Sequence, residues 1–70
     1  MKSNRSFVRD TIKNIKKFDV EFHWTTIYDL VPDKLKNKVD RATINKYIST
    51  YSYYSDDLVR VRPGYYRKTR

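Results

Sequence analysis

The sequence predicts a single small α+β domain over residues 1–70, with three helices, one short strand and a C-terminal β-hairpin. Two changes of hydrophobic period and one turn signal support this class. Apolar residues recur at helical spacing near the N-terminus and again after residue 40, whereas residues 18–24 alternate between apolar and polar. Pro63-Gly64 interrupts a β-patterned C-terminal segment. Without repeats or a long linker, one compact unit is expected.

The first helix is predicted over residues 6–17, because Val8, Ile12 and Ile15 recur at three- and four-residue intervals. The pattern then changes to strict alternation, which is typical of a strand with one buried face. The large apolar residues on that face are Phe18, Val20, Phe22 and Trp24.

A second helix is expected over residues 27–31, with Thr25 or Thr26 as its N-cap. Pro32 limits this helix, since proline lacks a backbone donor and its ring clashes with the preceding turn. The helix therefore either stops near Leu30 or restarts with Pro32 in a first turn. The sequence alone leaves both outcomes open.

The third helix is predicted to begin at Asp40, whose carboxylate can accept backbone N–H bonds at a helix N-terminus. Its apolar stripe should face the core and consists of Ile44, Tyr47, Ile48 and Tyr51. Its polar face carries Arg41, Asn45, Lys46 and Ser49. Residues 52–57 lack helical periodicity and are expected to form a loop, in which Asp56 and Asp57 are turn residues.

The hairpin should place Leu58, Val59 and Val61 on its first strand, followed by a turn at Pro63-Gly64. Together the elements are expected to bury one small core. Its predicted members are Val8, Ile12, Ile15, Phe22, Trp24, Ile27, Leu30, Ile44, Tyr47, Ile48, Val59 and Val61.

The formal net charge of +8 indicates an acidic partner. Residues 2–17 contain six basic side chains opposed by Asp10 alone, and residues 58–70 contain no acidic residue. Two basic ends of one fold can form one patch. The alternative is that the charge only keeps a small protein in solution.

Several function classes lack the residues they need. The chain has no cysteine, one histidine and one glycine, so nucleophile, metal and phosphate-loop arrangements are incomplete. We therefore expect no enzyme activity, no cofactor, no metal and no small-molecule substrate. No apolar run reaches the length of a membrane span or signal peptide, and a cytoplasmic setting is expected.

The order of predicted elements, and two segments in particular, resemble winged helix-turn-helix DNA-binding domains. Asp40-Arg-Ala-Thr-Ile-Asn-Lys-Tyr-Ile is similar to their third helix, and Arg62-Pro-Gly-Tyr-Tyr-Arg is similar to the tip of a wing. The segment from Phe22 to Leu30 looks like the strand and second helix of small winged-helix proteins of bacterial mobile elements or phages. The stretch from Leu30 to Asp40 departs from the pattern, because Pro32 makes the second helix irregular.

The predicted function is binding of double-stranded DNA through the third helix and the wing, as a transcription regulator or a replication accessory factor. Arg41 is expected to contact guanine or phosphate, Asn45 adenine and Lys46 phosphate. Because Arg60 and Arg62 lie two apart, they are expected to share one strand face. The full set of predicted nucleic-acid contacts is Arg41, Thr43, Asn45, Lys46, Ser49, Arg60, Arg62, Arg67, Lys68 and Arg70.

Two other functions also fit the sequence. Exposed tyrosines among basic residues can stack the bases of single-stranded DNA, and the candidates are Tyr53, Tyr54, Tyr65 and Tyr66. The same scaffold could instead be a protein adaptor for an acidic partner such as a polymerase or a helicase. Dimerisation stays open, since helix-turn-helix proteins often dimerise to read two half-sites, but a monomer is favoured because no helix is left over for a dimer interface.

Overall fold

The computed structural model describes residues 3–70, so the predicted contribution of Lys2 lies outside the described residues. Within this range the chain forms four helices and a three-stranded antiparallel sheet, which confirms the α+β class. The prediction of three helices is wrong, because the segment around Pro32 contains an additional short helix. In chain order the elements are α1 (Asn4–Lys13), β1 (Glu21–His23), α2 (Trp24–Leu30), α3 (Asp33–Lys36), α4 (Arg41–Tyr54), β2 (Leu58–Arg62) and β3 (Tyr65–Lys68).

Helix α1 starts and ends earlier than predicted. Ser3 is its N-cap, and the Ser3 side-chain oxygen accepts a hydrogen bond from the Ser6 amide at 3.2 Å. The following strand is also shorter than residues 18–24, because Asp19 adopts a positive φ of 59° that interrupts extended backbone. Phe18 and Val20 are consequently exposed, so the alternating pattern predicted too long a strand.

His23, rather than Thr25 or Thr26, is the N-cap of α2. Its Nδ1 accepts from the Thr25 amide at 3.4 Å and lies 2.9 Å from the Thr25 hydroxyl. The two outcomes left open at Pro32 both occur, because α2 ends at Leu30 and Pro32 is the N-cap of α3.

The chain reversal at Pro32 also changes which side chains are buried. Leu30, predicted to be in the core, is 58% exposed, whereas Val31 and Leu35 are buried. Helical spacing predicts which residues are buried only within the helix, and α2 ends at Leu30.

Asp40 is confirmed as the N-cap of the long helix α4. Its Oδ1 accepts from the Thr43 amide at 3.0 Å, and hydrogen bonds from the Thr43 side chain and then its amide lower the pKa of Asp40. The predicted loop over residues 52–57 is partly wrong, since α4 continues to Tyr54. Its last turn lacks an apolar pattern because Tyr53 and Tyr54 face solvent.

Strand β3 lies between β1 and β2 in the sheet. Phe22 and Arg60 both pair with Tyr66, and Leu58 pairs with Lys68. These residues therefore share the inner sheet face. Val59 and Val61, predicted to be core residues, are exposed, because Leu58 is the apolar residue of β2 on the inner face.

The register of β2 against β3 is shifted between Arg60 and Arg62, so that Val61 is a bulge residue. The turn that follows has Gly64 at φ 84°, as the third position of a Pro-Gly turn requires. The turn prediction is therefore confirmed, but the bulge is a feature the alternating pattern did not indicate.

The core lies where α4 packs against α1, α2 and β2, and Leu35 of α3 and Tyr66 of β3 complete it. Its fully buried apolar residues are Val8, Ile12, Ile27, Val31, Leu35, Ile44, Ile48, Leu58 and Tyr66. The predicted core residues Ile15, Phe22, Trp24 and Tyr47 are half-buried against it. Within residues 3–70, no helix combines the length and apolar character needed to cross a membrane.

Candidate nucleic-acid interface

A cleft of about 320 Å³ lies between α4 and the hairpin. It brings together four of the predicted contact residues: Asn45, Lys46, Ser49 and Arg60. The rest of its lining consists of Ala42, Thr50, Gly64 and Tyr66. Among the described residues no acidic side chain lines this cleft, so its two cations give it a positive potential.

The helix and the sheet each place their cleft residues by simple periodicity. Asn45 and Ser49 are separated by one helical turn and lie half-buried on one flank of α4, each about 100° around the helix from the buried isoleucine that precedes it, Ile44 or Ile48. Arg60 is directed to the same side as α4 because it pairs with Tyr66 on the inner sheet face.

The second hairpin arginine does not join the cleft. Since the bulge lets Arg62 pair with Tyr65, which precedes Tyr66 and points to the opposite face, Arg62 lies on the outer face. There its Nη2 donates to Glu21 Oε2 at 2.9 Å, and its guanidinium carbon lies 4.2 Å from the centre of the Tyr65 ring. The expectation that Arg60 and Arg62 share one face is therefore wrong.

The remaining hairpin cations are also divided. Arg67 is exposed on the outer face, where it pairs with Val59 and Glu21. Lys68, predicted to bind nucleic acid, is 2% exposed on the inner face and is not accessible to a ligand. Its Nζ lies 3.8 Å from Asp57 Oδ2 and donates to the Ile15 and Arg70 carbonyl oxygens.

Tyr51 and Asp57 complete the buried surroundings of Lys68. The Tyr51 hydroxyl donates to Asp57 Oδ2 at 2.8 Å. Burial, followed by the interaction with Asp57, raises the pKa of Tyr51 to about 12. Burial alone would raise the pKa of Asp57, but the Tyr51 hydrogen bond and the Lys68 charge contribute to holding it below its usual value of 3.8. These groups are structural, and Asp57 is more than the turn residue expected.

Arg70 is at the same end of the hairpin as Lys68, but in solvent. Its Nη2 lies 3.3 Å from Asp56 Oδ2, and both side chains are largely exposed. Arg70 therefore lies outside the cleft, next to an acidic side chain that lowers the local positive potential.

Arg41 and Thr43 lie in the first turn of α4, outside the cleft lining. The Arg41 guanidinium carbon is 5.1 Å from the centre of the Trp24 ring and 5.6 Å from that of Tyr28, distances suited to cation–π contacts. The Thr43 amide is used by the Asp40 cap. Arg41 is thus engaged at the junction of α2 and α4, and Thr43 in the cap of α4.

The four tyrosines considered for base stacking differ in exposure. Tyr66 is buried and Tyr65 is half-buried beneath Arg62, which removes both as stacking platforms. Tyr53 and Tyr54 are 82% and 81% exposed, and their ring centres are 5.0 Å apart in an edge-to-face arrangement. Tyr53 also lines a groove of about 260 Å³ that includes Arg60.

The position of Tyr53 beside the predicted contact residues was missed because α4 was expected to end before it. Ser49 and Tyr53 are four residues apart, so a longer helix would have placed them on one face. Within residues 3–70, no cluster of three or more His, Cys, Asp or Glu side chains is arranged as a metal site.

Comparison of the chain with protein-family models, curated proteins and solved structures found no match.

Proposed function

We propose that this protein is a small winged-helix protein that binds double-stranded DNA, with α4 as the recognition helix and the β2–β3 hairpin as the wing. The observation that carries the proposal is the cleft, where Asn45, Lys46 and Arg60 converge from two elements. Cations distributed at random over the surface would not be expected to meet in one concave site formed by both a helix and a strand. The net charge of +8 adds a long-range attraction for a polyanion.

The dimensions and chemistry of α4 suit the major groove of B-form DNA. Its 14 residues form a rod about 21 Å long, and a major groove about 12 Å wide admits one helix. Asn45 carries the amide that pairs with the N6 and N7 edge of adenine. Lys46 and Arg60 supply phosphate contacts on either side of the cleft.

Arg41 has a second, positioning part in this proposal. Arg41 is held over Trp24 and Tyr28 at the start of α4, and from there its charge faces the DNA backbone next to the major groove. The role proposed for the whole protein is that of a transcription regulator or replication accessory factor, acting in the cytoplasm as a monomer.

The test is fluorescence anisotropy with a labelled mixed-sequence duplex, titrated at several salt concentrations. Arg60→Ala is expected to weaken binding uniformly across sequences and to lower the slope of log K against log salt by about 1, since one phosphate contact is lost. Arg62→Ala is the matched control on the same strand, because Arg62 is already paired with Glu21 on the outer face. It should have the smaller effect.

Asn45→Ala tests base readout separately. It should reduce the preference for a selected site over mixed sequence while leaving the salt slope unchanged. A duplex RNA of the same sequence should bind more weakly, because its major groove is too narrow for a helix. Absence of salt-dependent duplex binding near micromolar concentration would refute the proposal.

A further inference from the structure

The exposed Tyr53–Tyr54 pair lies at the end of the cleft, where it connects two basic grooves. Tyr53 lines the groove that contains Arg60 and Ser49, and these two residues also line the main cleft. Tyr54 lines a groove of about 390 Å³ between α1 and α4, together with Arg5 and Arg9. Thr50 borders both this second groove and the main cleft. The surface is therefore continuous from the cleft, across the two rings, to α1.

The groove between α1 and α4 has the composition of a single-strand site. Among the described residues its lining includes three tyrosines and two arginines, Arg5 and Arg9, but no acidic side chain; Arg9 Nε lies 3.6 Å from Asp10 Oδ1, so Arg5 is the principal cation of the groove. The Arg5 guanidinium carbon is 5.8 Å from the centre of the Tyr47 ring, so the cation is held beside the groove. Aromatic rings that stack bases next to cations that follow the backbone are the combination that single-strand binding proteins use.

Packing in the core does not explain why tyrosine stands at positions 53 and 54. Each is more than four-fifths exposed, and their rings contact each other edge to face. The other tyrosines of α4, Tyr47 and Tyr51, pack against the core. Ring faces left open to solvent between two basic grooves are available to a planar partner.

We infer that the ligand of this protein is a duplex with an adjoining single-stranded extension, whose first unpaired bases stack on Tyr53 and Tyr54 and whose backbone continues past Arg5 and Arg9. The inference rests on the proposed duplex binding and specifies the DNA structure that the same surface selects. The duplex lies over α4 and the hairpin, with α4 in its major groove, and the strand that leaves it crosses the aromatic pair into the α1–α4 groove.

The experiment compares three labelled DNAs of matched length: a blunt duplex, a duplex with a 3′ extension and a duplex with a 5′ extension. The wild-type protein should bind one extended duplex about 5- to 150-fold more tightly than the blunt one, the range that corresponds to about 1–3 kcal/mol for one stacked base. Tyr53→Ala with Tyr54→Ala should lower this ratio severalfold, to the smaller value that the backbone contact with Arg5 provides. The double Phe variant retains both rings and should preserve the ratio.

Two further readouts separate stacking from general charge. An adenine analogue whose fluorescence is quenched by stacking, placed at the first unpaired position, should lose fluorescence with the wild-type protein and not with the double Ala variant. Arg5→Ala should weaken binding of the extended duplex more than that of the blunt duplex. Lys17→Ala removes the same charge outside the groove and should weaken both equally.

The failures of the two proposals are distinguishable. If the blunt duplex binds with the expected Arg60 dependence but neither extension adds affinity, the inference is wrong and the proposed function stands. If the double Ala variant keeps the wild-type ratio, the aromatic pair is not the site. If none of the three DNAs binds, both proposals fail, and a protein partner should be sought by pull-down.

Discussion

The two ends of the hairpin place positively charged side chains in opposite environments, one buried and one exposed. At the open end, Lys68 is buried beside Asp57 and holds the last strand onto the core. At the turn end, Arg60 and Arg62 extend into solvent on opposite faces of the sheet. The comparison shows that a run of basic residues is not one functional unit. The strand face and the depth of each residue decide whether its charge is available to a ligand.

The cost of burying a charge explains why Lys68 at the open end needs a counter-charge, whereas the exposed Arg60 at the turn end does not. An ammonium group taken out of water requires a counter-charge and hydrogen-bond acceptors. Asp57 and the carbonyl oxygens of Ile15 and Arg70 supply them. The exposed Arg60 guanidinium keeps its hydration and is free to exchange it for phosphate.

The largest effect is expected from Asp57→Ala, which leaves Lys68 buried without its counter-charge. The free energy of unfolding should fall by about 3 kcal/mol, a large fraction of the stability of so small a domain. Urea unfolding followed by Trp24 fluorescence measures this. Adding Lys68→Met to the same variant should restore much of the loss, since an apolar side chain needs no partner.

The Asp57–Lys68 pair also determines how the free energy of unfolding changes with pH. Because the pKa of Asp57 is lowered in the folded state, its contribution is present above its usual pKa of 3.8 and is lost as pH falls through the lower, folded value. Unfolding free energy measured from pH 6 to pH 2 should therefore decline more steeply for the wild type than for Asp57→Ala. Equal slopes, or no rescue by Lys68→Met, would contradict the assignment.

At the turn end, the next largest effect is expected from Gly64→Ala. A positive φ of 84° disfavours any residue with a Cβ, and that atom would also lie 3.3 Å from His23 Nε2. We expect a loss of about 1–2 kcal/mol in unfolding free energy. The pairing of Arg60 should loosen with it, so duplex affinity should fall as well. A variant with unchanged unfolding and unchanged affinity would show that the turn is not held in this conformation.

Tyr51→Phe removes a single hydroxyl from the buried end and should cost about 1 kcal/mol, because Asp57 retains Lys68. Spectrophotometric titration gives an independent check. With its pKa raised to about 12, Tyr51 should ionise later than an ordinary tyrosine, and that late step should be absent in the variant. Absence of that late step from the wild-type titration would show that the buried hydrogen bond is not formed.

The smallest effect is expected from Glu21→Gln, which frees Arg62 at the turn end. Duplex affinity should rise about 2-fold and the salt slope should become slightly steeper, as one more cation reaches the backbone. Asp29→Asn is the matched control, since it removes the same charge from an exposed side chain. Equal gains in the two variants would indicate a general charge effect rather than release of Arg62.

The helices were the most predictable part of the fold, because their apolar stripes are long enough to show a period. Ile44 and Ile48 were placed correctly in the core, and so was the Asp40 cap. The failures lie where one residue changes the local geometry. Positive φ at Asp19 shortened β1, and the reversal at Pro32 exchanged Leu30 for Val31 in the core.

The candidate site was predictable to the extent that it depends on α4. Asn45, Lys46 and Ser49 follow from helical spacing alone, and Arg60 joins them across the cleft. Lys68 could not be separated from the other cations, because its burial depends on Asp57, which approaches through tertiary structure. Tyr53 was named as a stacking candidate, but its place beside Ser49 and Arg60 was not predicted, since it depends on α4 continuing to Tyr54.

The bulge at Val61 gives the hairpin a property that concerns its evolution. The face on which Arg62 emerges depends on how many residues lie between Arg60 and the turn, not on which residues they are. Insertion or loss of one codon there would redirect the arginine without altering a core side chain. The lineage of this protein can therefore change what the tip of its hairpin meets in a single genetic step, while the folded body below it stays the same.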